Sequence, residues 1–223
     1  VLPQREPILV AKQAATVHHL SNGRLILGIG VGWIQQEFGY LGADFVARGQ
    51  RADEYIAAIR ELWTADEPQF AGDAVRFSDA IFSPRPPRPN GIPILVGGAS
   101  TQALRRAARY ADGWHALDAS PKKIRDATAT MAKLAPDRRL EISLRVTTAV
   151  GRATRPGPTS KNPDYGTLEG EPDAITAAIL RYHDAGVTHI VIDPDTNLLD
   201  EYLDDLDRFA AEIRPHIVPA GGS

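Results

Sequence analysis

The sequence predicts an α/β protein built on a parallel sheet. Two observations carry this. Short apolar runs ending in glycine, at Leu25 to Ile29 and at Ile92 to Val96, suit strands buried on both faces. Helical patterns follow them, and the alternation of strand and helix continues to the C-terminal end, as parallel strands with helical crossovers require.

Taken in order, a first helix follows Pro7, with Val10, Ala14, Val17 and Leu20 on one face. Ser21-Asn22-Gly23 stops it. After the first strand, Ile34 to Arg48 reads as a polar, mobile loop. Ala52, Tyr55, Ile56, Ile59 and Leu62 then mark a second helix. A small hairpin is expected around Ala71-Gly72-Asp73. The run Ser83 to Pro89 is rich in proline and predicts an extended loop. Behind the strand Ile92 to Val96 comes a helix with Ala103, Leu104, Ala107, Ala108 and Ala111 inside. Arg105, Arg106 and Arg109 are expected on its outer face. A strand at Gly113 to Leu117 precedes a helix from about Pro121. A further strand spans Ile142 to Val150, and a polar, mobile loop spans Gly151 to Gly170. Pro172 suits the first position of the next helix. Val187 to Ile192 is the last strand, and Leu198 to Ile213 the closing helix. Residues 1–216 are thus expected to form one domain and 217–223 a disordered tail.

These are five clear strands. A closed barrel needs eight and about 250 residues, whereas five satisfy an open doubly wound sheet. The pattern alone leaves the two level.

Composition narrows the function classes. The chain has 223 residues, enough for one domain with a large core. A net charge of −3 gives no strong pull towards nucleic acid or an anionic membrane. With no cysteine, disulfides, cysteine-bound zinc and thiol catalysis are excluded, and a cytoplasmic location fits. No apolar run approaches the roughly 20 residues of a membrane span.

Three places carry chemistry. Gly28-Ile29-Gly30-Val31-Gly32-Trp33 closes a strand, where glycines let a ligand approach the backbone. Its G-x-G-x-G spacing is not the G-x-G-x-x-G of dinucleotide folds, and the glycines could equally shape a rim. Gly97-Gly98-Ala99-Ser100-Thr101 also closes a strand and opens a helix. Exposed amides, a positive helix end and two hydroxyls there make a phosphate cradle. The plainer reading is an N-cap by Ser100. Strand alternation puts Ser143, Arg145 and Thr147 on one side, where Arg145 would suit an anionic ligand or simply face solvent on an edge strand. His115 follows a strand and could line a cleft. No histidine set has metal-ligand spacing, no nucleophile elbow is present, and no acid/base pair of carboxylates stands out.

The order of several motifs resembles the bacterial luciferase-like monooxygenase superfamily. They are Leu2-Pro3 with Pro7, Ala11-Lys12-Gln13, Leu20 to Leu25 and Gly28 to Trp33. Glu37-Phe38, Gly42, Arg48, Glu54, Pro93 to Gly98 and Ala111 to Trp114 follow. Gly166-Thr167, Pro172 and Asp184 to Val187 complete the set. The resemblance implies a (β/α)8 TIM barrel with its cofactor at the C-terminal strand ends. Val1-Leu2-Pro3 matches the end of strand three, so two βα units and most of that strand are expected to be lacking.

Gly30-Val31-Gly32-Trp33 with Gly97-Gly98 looks most like the branch that uses coenzyme F420, a deazaflavin. The implied function is hydride transfer between that cofactor and a small organic substrate. An FMN-dependent monooxygenase using molecular oxygen is the alternative, and a shortened non-catalytic flavin-binding protein a second. The resemblance implies a cofactor site at Gly28, Gly30, Val31, Gly97, Gly98, Ala99, Ser100 and Thr101. Trp33, His115 and Arg145 are candidates to face substrate or cofactor. It also implies a homodimer, and assigns no proton donor among these residues.

Overall fold

The computed structural model describes residues 1–155, 162 and 164–217. Internal contacts divide the chain into two compact units: Val1–Trp114 with Arg138–Leu140, and His115–Asp137 with Glu141–Ser223.

The first unit opens with a 3-10 turn, Leu2–Gln4, and helix α1, Pro7–Leu20. Strand β1, Leu27–Ile29, leads to a short helix α2, Gln35–Tyr40, and to α3, Arg48–Thr64. Strands β2, Phe70–Ala71, and β3, Arg76–Phe77, form the expected antiparallel hairpin. Strand β4, Ile94–Gly97, pairs in parallel with β1, and helix α4, Thr101–Tyr110, follows it.

The buried face of α1 is not the expected one. Pro7, Ala11, Ala14, Ala15 and His18 are buried, while Val17 and Leu20 are exposed. Alanines let α1 approach α3 closely, and the buried Trp63 indole donates to the Ala11 carbonyl at 3.0 Å. Bulkier Val17 would not fit that contact. The stop signal behaves as expected: Asn22 and Gly23 take left-handed backbone, and Gly23 N–H donates to the His18 carbonyl. On α3, Ala52, Tyr55, Ile56, Ile59 and Leu62 are all buried.

Helix α4 buries Ala103, Leu104, Ala107 and Ala108 as its pattern requires. Arg106, expected outside, is buried instead. It pairs with Asp53 of α3 and donates to the Gly49 carbonyl, so its charge stays satisfied away from water. Glu54 anchors the hairpin, accepting from the backbone N–H groups of Asp73, Ala74 and Val75 at 3.1, 2.8 and 2.7 Å.

The second unit contains β5, Gly113–Leu117, which begins in the first unit, and then α5, Pro121–Leu134. Strand β6, Glu141–Val150, is its centre. It pairs in parallel with β8, His189–Pro194, over Ser143–Thr148, and with β7, Leu168–Gly170, over Thr148–Val150. Helix α6, Pro172–Asp184, has proline in its first turn as expected. The closing segment is α7, Leu199–Arg208, a π turn at Phe209–Ile213 and α8, Arg214–Ile217.

Two elements depart from the expected loops. Gln35–Tyr40 is helical, and Leu168–Gly170 is a strand. Of the expected mobile loop, residues 156–161 and 163 lie outside the described residues, as does the expected tail beyond Ile217. No helix among the described residues is long and apolar enough to cross a membrane.

Candidate functional site

In the first unit the sequence-derived candidates meet at two adjacent strand ends. The register Gly28↔Leu95 and Ile29↔Val96 sets the ends of β1 and β4 side by side. Gly30-Val31 and Gly97-Gly98 therefore leave neighbouring strands at the same edge. A Cβ at Gly28 or Gly30 would meet no atom within 4 Å, so both face open space. Gly98 has φ +111 and would press a Cβ against Ala103 at 3.2 Å. Glycine is required there because a side chain rarely adopts that backbone.

Ser100 caps α4, accepting from Ala103 N–H at 3.2 Å. The Thr101 and Gln102 N–H groups have no acceptor among the described residues and point out of the first turn. Gly98, Ala99, Ser100 and Thr101 are all exposed. Trp114, buried beneath, donates its indole N–H to the Gly98 carbonyl at 2.7 Å. That bond fixes the orientation of the turn. Asp112 supports the opposite, N-terminal end of β4, accepting from Ile94 N–H and from Arg60, each at 2.7 Å. Open backbone, a helix N-terminus and free amides fit the phosphate end of a nucleotide-like cofactor. Trp33 lies beyond Gly32, whose φ of +78 turns the chain, and is 82% exposed.

The second unit holds His115 and Arg145 in a different kind of arrangement. Strand β6 is not an edge, because β5 and β8 both flank it, so the solvent-facing edge reading of Arg145 does not hold. Its alternation is as expected. His115 Nδ1 lies 3.0 Å from Ser143 Oγ, and Arg145 and Thr147 both turn to Asp118.

Asp118 closes β5 with φ 43, accepting from Thr147 N–H at 2.7 Å and Thr147 Oγ1 at 3.0 Å. Arg145 pairs with Asp118 at 3.5 Å and with Asp193 of β8. One guanidinium thus meets two carboxylates, and the cluster leans negative. Burial first, then the Arg145 charge and then His189, push the His115 pKa below its ordinary value. Burial and the nearby Asp118 push Tyr182 up to about 12.

Asp118, Asp193 and Trp114 were not singled out as site residues in the sequence. For the acids the available signal was position, since both sit at C-terminal strand ends. Among the described residues, no group of three histidine or acidic side chains is placed to hold a metal ion.

Comparison with known proteins identifies the family. Residues 1–161 match the luciferase-like monooxygenase family. The chain belongs to that family. An uncharacterized protein of Mycobacterium tuberculosis is 32% identical over 220 residues, covering 95% of this chain and 68% of the relative. The FMNH2-dependent dimethylsulfone monooxygenase of Pseudomonas fluorescens is 38% identical over 113 residues, covering 49% of this chain and 30% of that enzyme. An F420-dependent secondary alcohol dehydrogenase, solved with an F420-acetone adduct, superposes with a TM-score of 0.78 at 17% identity. That match covers 96% of this chain and 76% of the dehydrogenase. The chain therefore has the luciferase-like barrel fold over the part it spans, within a family of oxidoreductases.

Proposed function

We propose that this chain serves a deazaflavin (F420)-dependent oxidoreductase that exchanges a hydride with a small organic substrate. The observation that carries the reading is the paired edge of β1 and β4. Gly28 and Gly30 leave room for a ring system and its chain, and Gly98 to Thr101 offer free amides at a helix N-terminus to a phosphate. Val31, between them, is apolar and half-buried, with no cationic side chain in its place to meet a flavin chain.

When bound, the cofactor would supply hydride exchange at C5 of its ring. The chain's own part is to hold and orient. Trp114 sets the Gly98 peptide, Ser100 holds the helix turn, and Thr101 adds a hydroxyl donor. His115, largely neutral near pH 7 because its pKa is lowered, can accept or donate a hydrogen bond without adding charge.

An FMN-dependent monooxygenase is the second reading, supported by the dimethylsulfone monooxygenase identity over half of this chain. Fluorescence titration of the full chain with both cofactors separates the two. The deazaflavin is expected to bind more tightly; FMN binding tighter by tenfold or more would reverse the assignment. A dimer belongs to the same reading, and light scattering measures it.

A further inference from the structure

Helix α4 carries a second feature, away from its N-terminus. A groove of about 430 Å³ runs between α3 and α4 and is lined by Gln102, Arg105, Arg106, Arg109, Asp53 and Gly49 among others. Gln102, Arg105 and Arg109 lie at i, i+3 and i+7, which places them on one face of the helix. The third cation of the groove is already paired: Arg106 is buried against Asp53 and the Gly49 carbonyl. That pairing also neutralises Asp53, the only carboxylate lining the groove. Arg105 and Arg109 are exposed and make no ion pair among the described residues. Arg109 lies over the Tyr110 ring, 5.1 Å from its centroid, which holds its stem against the helix. The groove is therefore a local excess of two positive charges on a chain whose net charge is −3.

Its position gives the charge a purpose. Gln102 follows Thr101, the end of the phosphate cradle, by one residue. From Thr101 to Arg109 the helix rises by about 12 Å, with Arg105 and Arg109 about one turn apart. A ligand whose phosphate sits at Thr101 and whose remaining part is a chain of anions would meet Gln102, Arg105 and Arg109 in succession. A single phosphate at Thr101 without such a chain would lie about 12 Å along the helix from Arg109.

We infer that the α3–α4 groove is an anion subsite that takes the oligoglutamate tail of the deazaflavin cofactor, with Arg105 and Arg109 pairing its carboxylates. This rests on the deazaflavin reading above. Asp53 and Arg106 act as positioning residues, keeping the groove open and its remaining charge positive.

The test uses the full chain and three probes: F420 with its glutamates, the same cofactor with the glutamates removed, and FMN. Affinities are read by fluorescence, with no turnover needed. The tailed cofactor is expected to bind roughly three- to tenfold more tightly than the tailless one, the range for two exposed ion pairs. That advantage should shrink as salt is raised. In the double variant Arg105→Ala/Arg109→Ala the two deazaflavins should bind alike, at the tailless affinity. In Arg105→Lys/Arg109→Lys most of the advantage should return. Both arginines are exposed, so thermal unfolding of the variants should match the native chain and separate lost binding from lost fold. Equal affinity for tailed and tailless cofactor in the native chain overturns the inference alone, as does a tail advantage that survives in the alanine variant. Failure of both deazaflavins to bind beside tight FMN binding overturns the deazaflavin reading, and the inference with it.

Discussion

Two groups of strand ends in this molecule are built in opposite ways. The edge of β1 and β4 is made by leaving side chains out: glycines at 28, 30, 97 and 98, small residues at 99 and 100, and amides without acceptors among the described residues. The ends of β5, β6 and β8 are made by putting side chains in, and Asp118, Arg145, Thr147 and Asp193 satisfy one another. The first arrangement is incomplete without a ligand. The second is complete without one. Substitutions should therefore cost binding in the first region and folding stability in the second.

Gly98→Val tests the first half most severely. A β-branched residue at φ +111 is strained, and its Cβ also presses on Ala103. We expect cofactor affinity to fall below detection in a fluorescence titration, with a stability loss of about 1–3 kcal/mol in urea unfolding. Unchanged affinity would place the site elsewhere. Thr101→Ala is gentler. Loss of one hydrogen bond to a charged phosphate should cost about 1.5–3 kcal/mol of binding, with little change in unfolding.

The second region should respond the other way round. Asp118→Ala removes the acceptor for Thr147 N–H and Oγ1 and one partner of Arg145. Urea unfolding should show a loss of about 1–3 kcal/mol. A large drop in cofactor affinity at unchanged stability would break the contrast.

The smallest effect is on pH dependence. Because the His115 pKa is lowered from 6.5 in the folded chain, the unfolded chain takes up its proton first as pH falls. The stability held by neutral His115 is full above about pH 6.5 and declines below it, down to the folded-state value. His115→Gln should flatten that part of a stability profile measured between pH 5 and 8. An unchanged profile would mean that burial at His115 does not govern its proton.

The same contrast explains what the sequence disclosed. Absent side chains are visible in a sequence, because glycine at a strand end has few other uses. The open edge, at Gly28 to Val31 and Gly97 to Thr101, was legible for that reason. Mutual satisfaction is not visible. Asp118 and Asp193 look like any surface acids until the strands are paired, and Arg106 looks like its neighbours Arg105 and Arg109 until Asp53 is set against it. Strands β1, β4, β5, β6 and β8 declared themselves by their apolar runs, whatever their length. Leu168–Gly170 did not, since only Leu168 of its three residues is apolar. The six residues of α2 are too few to establish a helical period. On α1, size misled: the large residues Val17 and Leu20 suggested the inner face, but close packing against Trp63 selected alanine.

The anchoring of the β2–β3 hairpin has a consequence for how the first unit moves. Three backbone amides converge on a single carboxylate, Glu54, and a side chain at Gly72 would run into that same group. The hairpin has only two residues in each strand, with Phe70 stacked on Phe77, Gln69 N–H donating to Glu61 at 3.1 Å and Val75 buried. Glu54 is its main polar anchor. Opening of these contacts would leave α3, whose other face carries the buried core, intact. Amides of residues 73–75 should then exchange with solvent deuterium together, through one opening event, and faster than those of α3.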